Sequence, residues 1–205
     1  MEDKRPSWIV RAWWFLAYWL GFRHGIYYRW SRLYRWLYQR AYKGHVKTGP
    51  TLATLQQRAR RFTWRRDDGR ALRDAIGLPQ HLEAYGFGDC DEFAAWWCDA
   101  GREGFSDSRG RTWHPVGILS VRWKEEGHNV ALLGIEHMHD DRVLYSGFAH
   151  VSNWHDGRLF DGHRSIEDIA WHIAGLVDSA PLYLSLVSPD LKTLITHKWF
   201  GGKRG

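Results

Sequence analysis

The sequence predicts an α+β protein in which one helix packs on an antiparallel sheet, preceded by a helical arm rich in arginine and aromatic residues. Three observations predict it. A helical apolar pattern near residues 91–102 is followed by strand patterns at 116–123, 128–136 and 142–154, the first two joined by a turn short enough for a hairpin. Charge is divided along the chain: residues 1–66 carry 15 Lys+Arg and 2 Asp+Glu, a net of +13, and the remainder carries 14 and 21, a net of −7, which together give the formal +6. Aromatic residues are divided in the same way, with 14 of the 32 Trp, Tyr and Phe in residues 1–42.

A chain of 205 residues suits one domain with an added arm, so residues 1–47 are assigned to the arm and 48–205 to the core. A composition 44% hydrophobic and 25% charged, with 6 prolines, excludes a wholly disordered chain, a collagen and a polytopic membrane protein. The two cysteines, Cys90 and Cys98, are too few for a disulfide framework or a four-thiolate zinc site, which makes a reducing compartment the default.

Taken in order, the apolar run Trp8 to Phe22 spans 15 residues where a membrane-crossing helix needs about 20. Its tryptophans and the lack of a small-residue cleavage site also make it a poor signal peptide. Over 26–41, Ile26, Trp30, Leu33, Tyr34, Leu37, Tyr38 and Ala41 share one helical stripe with arginines mostly off it, so the arm reads as a helical hairpin or a helix kinked near Gly21 to Gly25. Such a segment suits an anionic membrane surface or a partner protein, and nucleic acid less well because no binding module accompanies it. The expected setting is the cytoplasm or a virion, with the arm as a peripheral membrane contact.

Gly44 to Pro50 reads as a linker, and Thr51 opens a basic helix to about Arg61. Phe62-Thr63-Trp64 reads as extended, Asp67-Asp68-Gly69 as a turn, and Arg70 to Ile76 as a short helix ended by Gly77 and Pro79. The third strand, 142–154, carries a bend at Gly147. Ser165 opens a helix to Val177 with Asp168 in a capping-box arrangement, and Pro181 to Val187 is a last strand.

The most informative stretch is Gly88-Asp89-Cys90-Asp91-Glu92-Phe93-Ala94. A cysteine at the start of a helix faces unpaired backbone N–H groups and the positive end of the dipole, which favour a thiolate and would also stabilise an oxyanion. Gly88 lets the chain turn and leaves room beside the thiol. A thiol nucleophile needs a base, and His128 heads an apolar strand directly after Gly127. Asn153 stands on the following strand as the group that would orient the imidazole, with Asp156 and Asp161 as acidic alternatives. Against activity, Asp89, Asp91 and Glu92 crowd the sulfur with negative charge, and a helix-capping role suits them better. Cys98, near the same helical face, is assigned to the core.

These residues resemble the transglutaminase-like cysteine proteinases of bacteria and their phages. The likeness rests on Gly88 to Ala94, on Gly127-His128-Asn129-Val130-Ala131-Leu132 and on Ser152-Asn153-Trp154, and covers about residues 60–160. It implies a papain-like core with Cys90 as nucleophile, His128 as base and then acid, and Asn153 as orienting residue. Ser152 stands where the family has Asp. The activity implied is thiol-dependent hydrolysis of an amide in a protein or peptide substrate through a thioester. The rival from another class is a non-catalytic structural or interaction protein, such as a phage virion component, that keeps the core and docks through its arm.

No cofactor or metal is expected. His137, His139, Asp140 and Asp141 have ligand chemistry but fall in a hairpin turn, and no third ligand is identified. His114, His150, His155, His163 and His172 are assigned to surface or core. Neither a phosphate-binding glycine loop, a serine nucleophile elbow nor a paired-carboxylate motif is present.

Overall fold

A computed structural model describes residues 45–65, 79–124, 126–139, 142–190 and 193–200. The arm up to residue 44, the turn at 67–69 and the helix expected at 70–76 lie outside the described residues. Three long strands dominate: β4 (Thr112–Arg122), β5 (Gly127–His139) and β6 (Arg142–Val151). They pair antiparallel through short turns, and β7 (Phe160–His163) extends the sheet beyond β6. On the other side β8 (Tyr183–Val187) pairs with β4 and β9 (Leu194–Trp199) with β8, giving the order β7-β6-β5-β4-β8-β9 with the short β3 (Phe105–Ser106) also on β4. A separate parallel pair joins β1 (Thr63–Trp64) to β2 (Phe87–Gly88). With four helices described, the architecture is α+β.

Helices cover both faces. On one lie α1 (Leu52–Ala59), α2 (Pro79–Tyr85) and α3 (Cys90–Ala100), whose Leu55, Leu82, Phe93, Trp96 and Trp97 form one core with Ile118, Ala131, Leu133, Ala149 and Val151 of the sheet. On the other lies α4 (Ile166–Gly175), whose Ile169, Ala170 and Ile173 pack with Leu119, Val121, Val130, Leu132, Leu184 and Leu186. The sheet is therefore sandwiched, and its central strands read as continuous apolar runs because neither face meets water.

Helix α3 forms where the sequence places it because its first turn closes on itself. The Asp89 carboxylate accepts the Asp91 N–H at 2.8 Å, and Glu92 accepts the Asp89 N–H at 3.0 Å, a reciprocal capping box. Residues 91–100 are all buried, so this helix is the centre of its layer rather than an amphipathic surface helix. Phe62 meets Phe93 and Trp96 edge-on at 6.2 and 5.3 Å. The Trp96 indole donates to Glu83 at 2.8 Å, and the same carboxylate oxygen takes the Arg58 guanidinium at 2.5 Å. Gly117 is required by packing: a Cβ there would lie 2.0 Å from the Val187 carbonyl oxygen, at the irregularity that interrupts β4.

Four departures from the sequence reading have local causes. Pro79 begins α2, a helix the sequence reading does not include, since the first turn does not need its missing N–H. Strand β6 stops at Val151, where the Ser152 hydroxyl accepts the Trp154 N–H at 3.1 Å and turns the chain into a short 3-10 segment, Trp154–Gly157. Strands β7 and β9 are absent from the sequence reading, β7 because it is four residues long and contains Gly162, β9 although Ile195, Thr196 and Trp199 are strand formers. The expected linker is strapped to α3: Val46 is buried, its N–H donates to Asp99 at 2.6 Å, and Gly49 N–H donates to the Ala100 carbonyl at 3.1 Å.

Candidate active site and histidine cluster

Alternation along β5 decides what Cys90 can meet. Successive side chains on a strand point to opposite faces, and residues paired across strands share a face. Ser120 pairs with Asn129 and Val121 with His128. Val121 belongs to the α4 core, whereas Ile118 and Ala131, two residues along from Ser120 and Asn129, belong to the α3 core. Asn129 therefore faces Cys90, and His128 faces away from it.

The contacts agree with the register. Asn129 Nδ2 donates to Cys90 Sγ at 3.7 Å and also to Asp91 Oδ1, while its own Oδ1 accepts the Ser120 hydroxyl. The Cys90 thiol donates to Asp91 Oδ1 at 3.8 Å. Cys90 is half-buried and Asp91, Ser120 and Asn129 are buried, so these four side chains form a polar lock between the helix N-terminus and the sheet. Asp89 and Glu92 are engaged in the capping box, the role that suited them in the sequence. Gly88 has a packing role as well, because a Cβ there would fall 2.9 Å from Glu92 Cβ.

On the opposite face His128 is 4% exposed and stacks on Trp154, with centroids 3.7 Å apart and planes 10° from parallel. Its Nε2 hydrogen-bonds the Ser152 hydroxyl at 3.0 Å. Burial pushes its pKa down to about 3, so the ring is neutral at physiological pH and poorly suited to accept a proton. The expected Cys90–His128–Asn153 triad is thus not assembled: the sheet lies between thiol and imidazole, and Ser152 takes the orienting place expected of Asn153. Asn153 Oδ1 is buried with no hydrogen-bond partner among the described residues. Neither acidic alternative serves His128, since Asp161 pairs with Arg111 and Arg109 and Asp156 is exposed in a left-handed conformation at φ 56°. Cys98 is a core residue as expected, donating to the Gly117 carbonyl at 3.5 Å, with burial and then Asp99 pushing its thiol far up.

The α4 face holds three of the five histidines that the sequence left without partners. His150 of β6, His163 of β7 and His172 of α4 present ring nitrogens within 4.8 Å of one another. His150 is 2% exposed, the other two are partly buried, and Phe160 stacks on His150 at 5.0 Å. His163 and His172 are 13 and 22 positions beyond His150 on separate elements, so no spacing motif could reveal them. A usable signal existed in the alternation of Phe148, His150 and Ser152, which sets polar groups at inward positions of a strand. His137 instead pairs with Ser146 on the exposed end of the β5–β6 hairpin, and Asp140 and Asp141 lie outside the described residues. The oxygen and sulfur atoms of Asp89, Cys90 and Asp91 are also close together, but the capping box and Asn129 occupy those carboxylates.

No helix among the described residues is long and apolar enough to cross a membrane. No family model, curated protein or solved structure matches the chain.

Proposed function

We propose that the chain is a non-catalytic structural or interaction protein that retains a papain-like arrangement, a cysteine-headed helix on an antiparallel sheet, as a scaffold. The observation that carries this reading is the placement of Asn129, not His128, beside Cys90. An amide cannot take a proton from a thiol, and its donors and acceptor are already committed to Cys90, Asp91 and Ser120. Cys90 then acts as one member of a lock that fixes α3 on the sheet. Binding falls to the basic, aromatic residues 1–47, whose charge complements an anionic membrane surface or an acidic partner protein.

The test is alkylation of Cys90 by iodoacetamide in the full chain between pH 5 and 9, followed by peptide mass spectrometry, for the parent and for His128→Gln. The expected result is a rate at pH 7 no faster than that of free glutathione and a profile that His128→Gln leaves in place. A rate about tenfold above glutathione, with a pH step that His128→Gln removes, would overturn the proposal in favour of thiol-dependent acyl transfer.

A further inference from the structure

We infer that His150, His163 and His172 form a binding site for one late first-row divalent transition-metal ion, with zinc the best match. Nothing at Cys90 enters this inference, and it holds whether or not that thiol is reactive.

Chemistry comes first. Three imidazoles with no thiolate among them suit zinc, copper or nickel and leave calcium and magnesium, which need oxygen ligands, poorly served. Both ring nitrogens of His150, Nε2 of His163 and Nε2 of His172 are buried with no hydrogen-bond partner among the described residues. A folded protein rarely leaves so many polar atoms unsatisfied in one place, because each one left without a partner is destabilising. One ion coordinated by the three rings satisfies a nitrogen on each.

The rings are also held in the protonation state that a ligand requires. Burial, and then the neighbouring histidines, push His150 down to about 2, and burial followed by His172 pushes His163 down. His172 is lowered by burial and then by His155. Neutral imidazoles have a free lone pair, so no proton need be displaced near pH 7.

Geometry allows closure without rebuilding the fold. A tetrahedral zinc with Zn–N bonds of about 2.0–2.1 Å sets its ligand nitrogens roughly 3.3 Å apart. The three nitrogens already lie within 4.8 Å of one another, so closure to that spacing asks only side-chain rotation of His163 and His172, both of which retain some exposure. His150 is the fixed member, seated on a central strand and pressed between Phe160 and the other two rings. Phe160 lies 5.2 Å from His172 as well, an apolar wall that keeps bulk water from the ion. Three protein ligands leave a fourth position to solvent or to a small anion, as catalytic zinc sites do and closed structural sites do not.

The experiment uses the full chain freed of metal by EDTA and dialysis, titrated with zinc chloride by calorimetry and with cobalt chloride by visible absorption. Parent protein is expected to bind one zinc per chain and to give the intense visible band of tetrahedral cobalt(II). His163→Ala and His172→Ala, at positions that already meet solvent, are each expected to weaken zinc about 100-fold or more while keeping the circular dichroism of the parent. Replacing His137 and His139 together by Ala should leave affinity unchanged. Zinc should raise the Tm of the parent and leave that of His163→Ala/His172→Ala in place. Failure to bind zinc stoichiometrically, survival of binding in both single variants, or its loss in the His137/His139 variant would overturn the assignment.

Discussion

The two faces of the central sheet are built from the same strands and are both packed with apolar side chains, but they carry different polar groups. Around Cys90, towards α3, the polar groups are a thiol, carboxylates, an amide and the Ser120 hydroxyl, joined to one another and to the helix cap. Towards α4 they are imidazoles, of which His128 has a hydroxyl partner and His150 has none among the described residues. Adjacent residues Asn129 and His128 sit on the two sides of this divide. A satisfied network such as that around Cys90 confers rigidity, whereas a cluster of unsatisfied ring nitrogens is poised for a ligand, so of the two clusters the imidazoles are the one equipped to bind.

Acidification would weaken both faces together and is the largest effect expected. His81 of α2 lies in the α3 layer and His128 faces α4; burial lowers them from an ordinary 6.5 to about 4 and about 3. Below pH 6.5 the unfolded chain takes up protons that these folded sites refuse, so stability falls as pH falls, down to the folded pKa of each group. By pH 5 these two should contribute about 4 kcal/mol to the loss seen in urea unfolding of the metal-free protein, with buried His150 adding to it, and His81→Gln or His128→Gln should each remove one proton from the slope.

Next in size, Asn129→Leu should lower stability by about 3 kcal/mol, because it strips a buried carboxylate and a buried hydroxyl of the amide that serves them. Cys90→Ala, which removes a half-buried thiol from the same lock, should cost less than about 1 kcal/mol. Equal losses from these two variants, measured by thermal unfolding, would show that the thiol rather than the amide organises that face. Asp89→Ala should cost about 1 kcal/mol through the lost helix cap alone, and should leave zinc binding on the other face untouched.

Much of this was legible in the sequence. Strands β4, β5, β6 and β8, helix α4 with its Ser165–Asp168 cap, and the cysteine at the head of α3 all followed from periodicity and capping residues. What failed was the side of the sheet. A motif such as Gly127-His128-Asn129 records spacing along the chain, but the choice between His128 and Asn129 is made by register, and a shift of one residue would exchange them. Pairing partners such as Ser120 and Val121 are not marked in the motif, so the triad could be proposed and its faces left undetermined. The histidine cluster was hidden for a related reason, because its members meet only when β7 and α4 close over β6.

The strap at residues 45–50 fixes where any load from the arm enters the core. Its ties to Asp99, Ala100 and Arg102 lie at the C-terminal end of α3, with Ala100 ten residues from Cys90, or about 15 Å along the axis. Load passing through residue 45 would fall on α3, whose residues 91–100 are all buried, rather than on a loop, and a buried helix resists displacement as a single stiff unit. The segment at 45–50 and the sheet on which α3 packs would then move together.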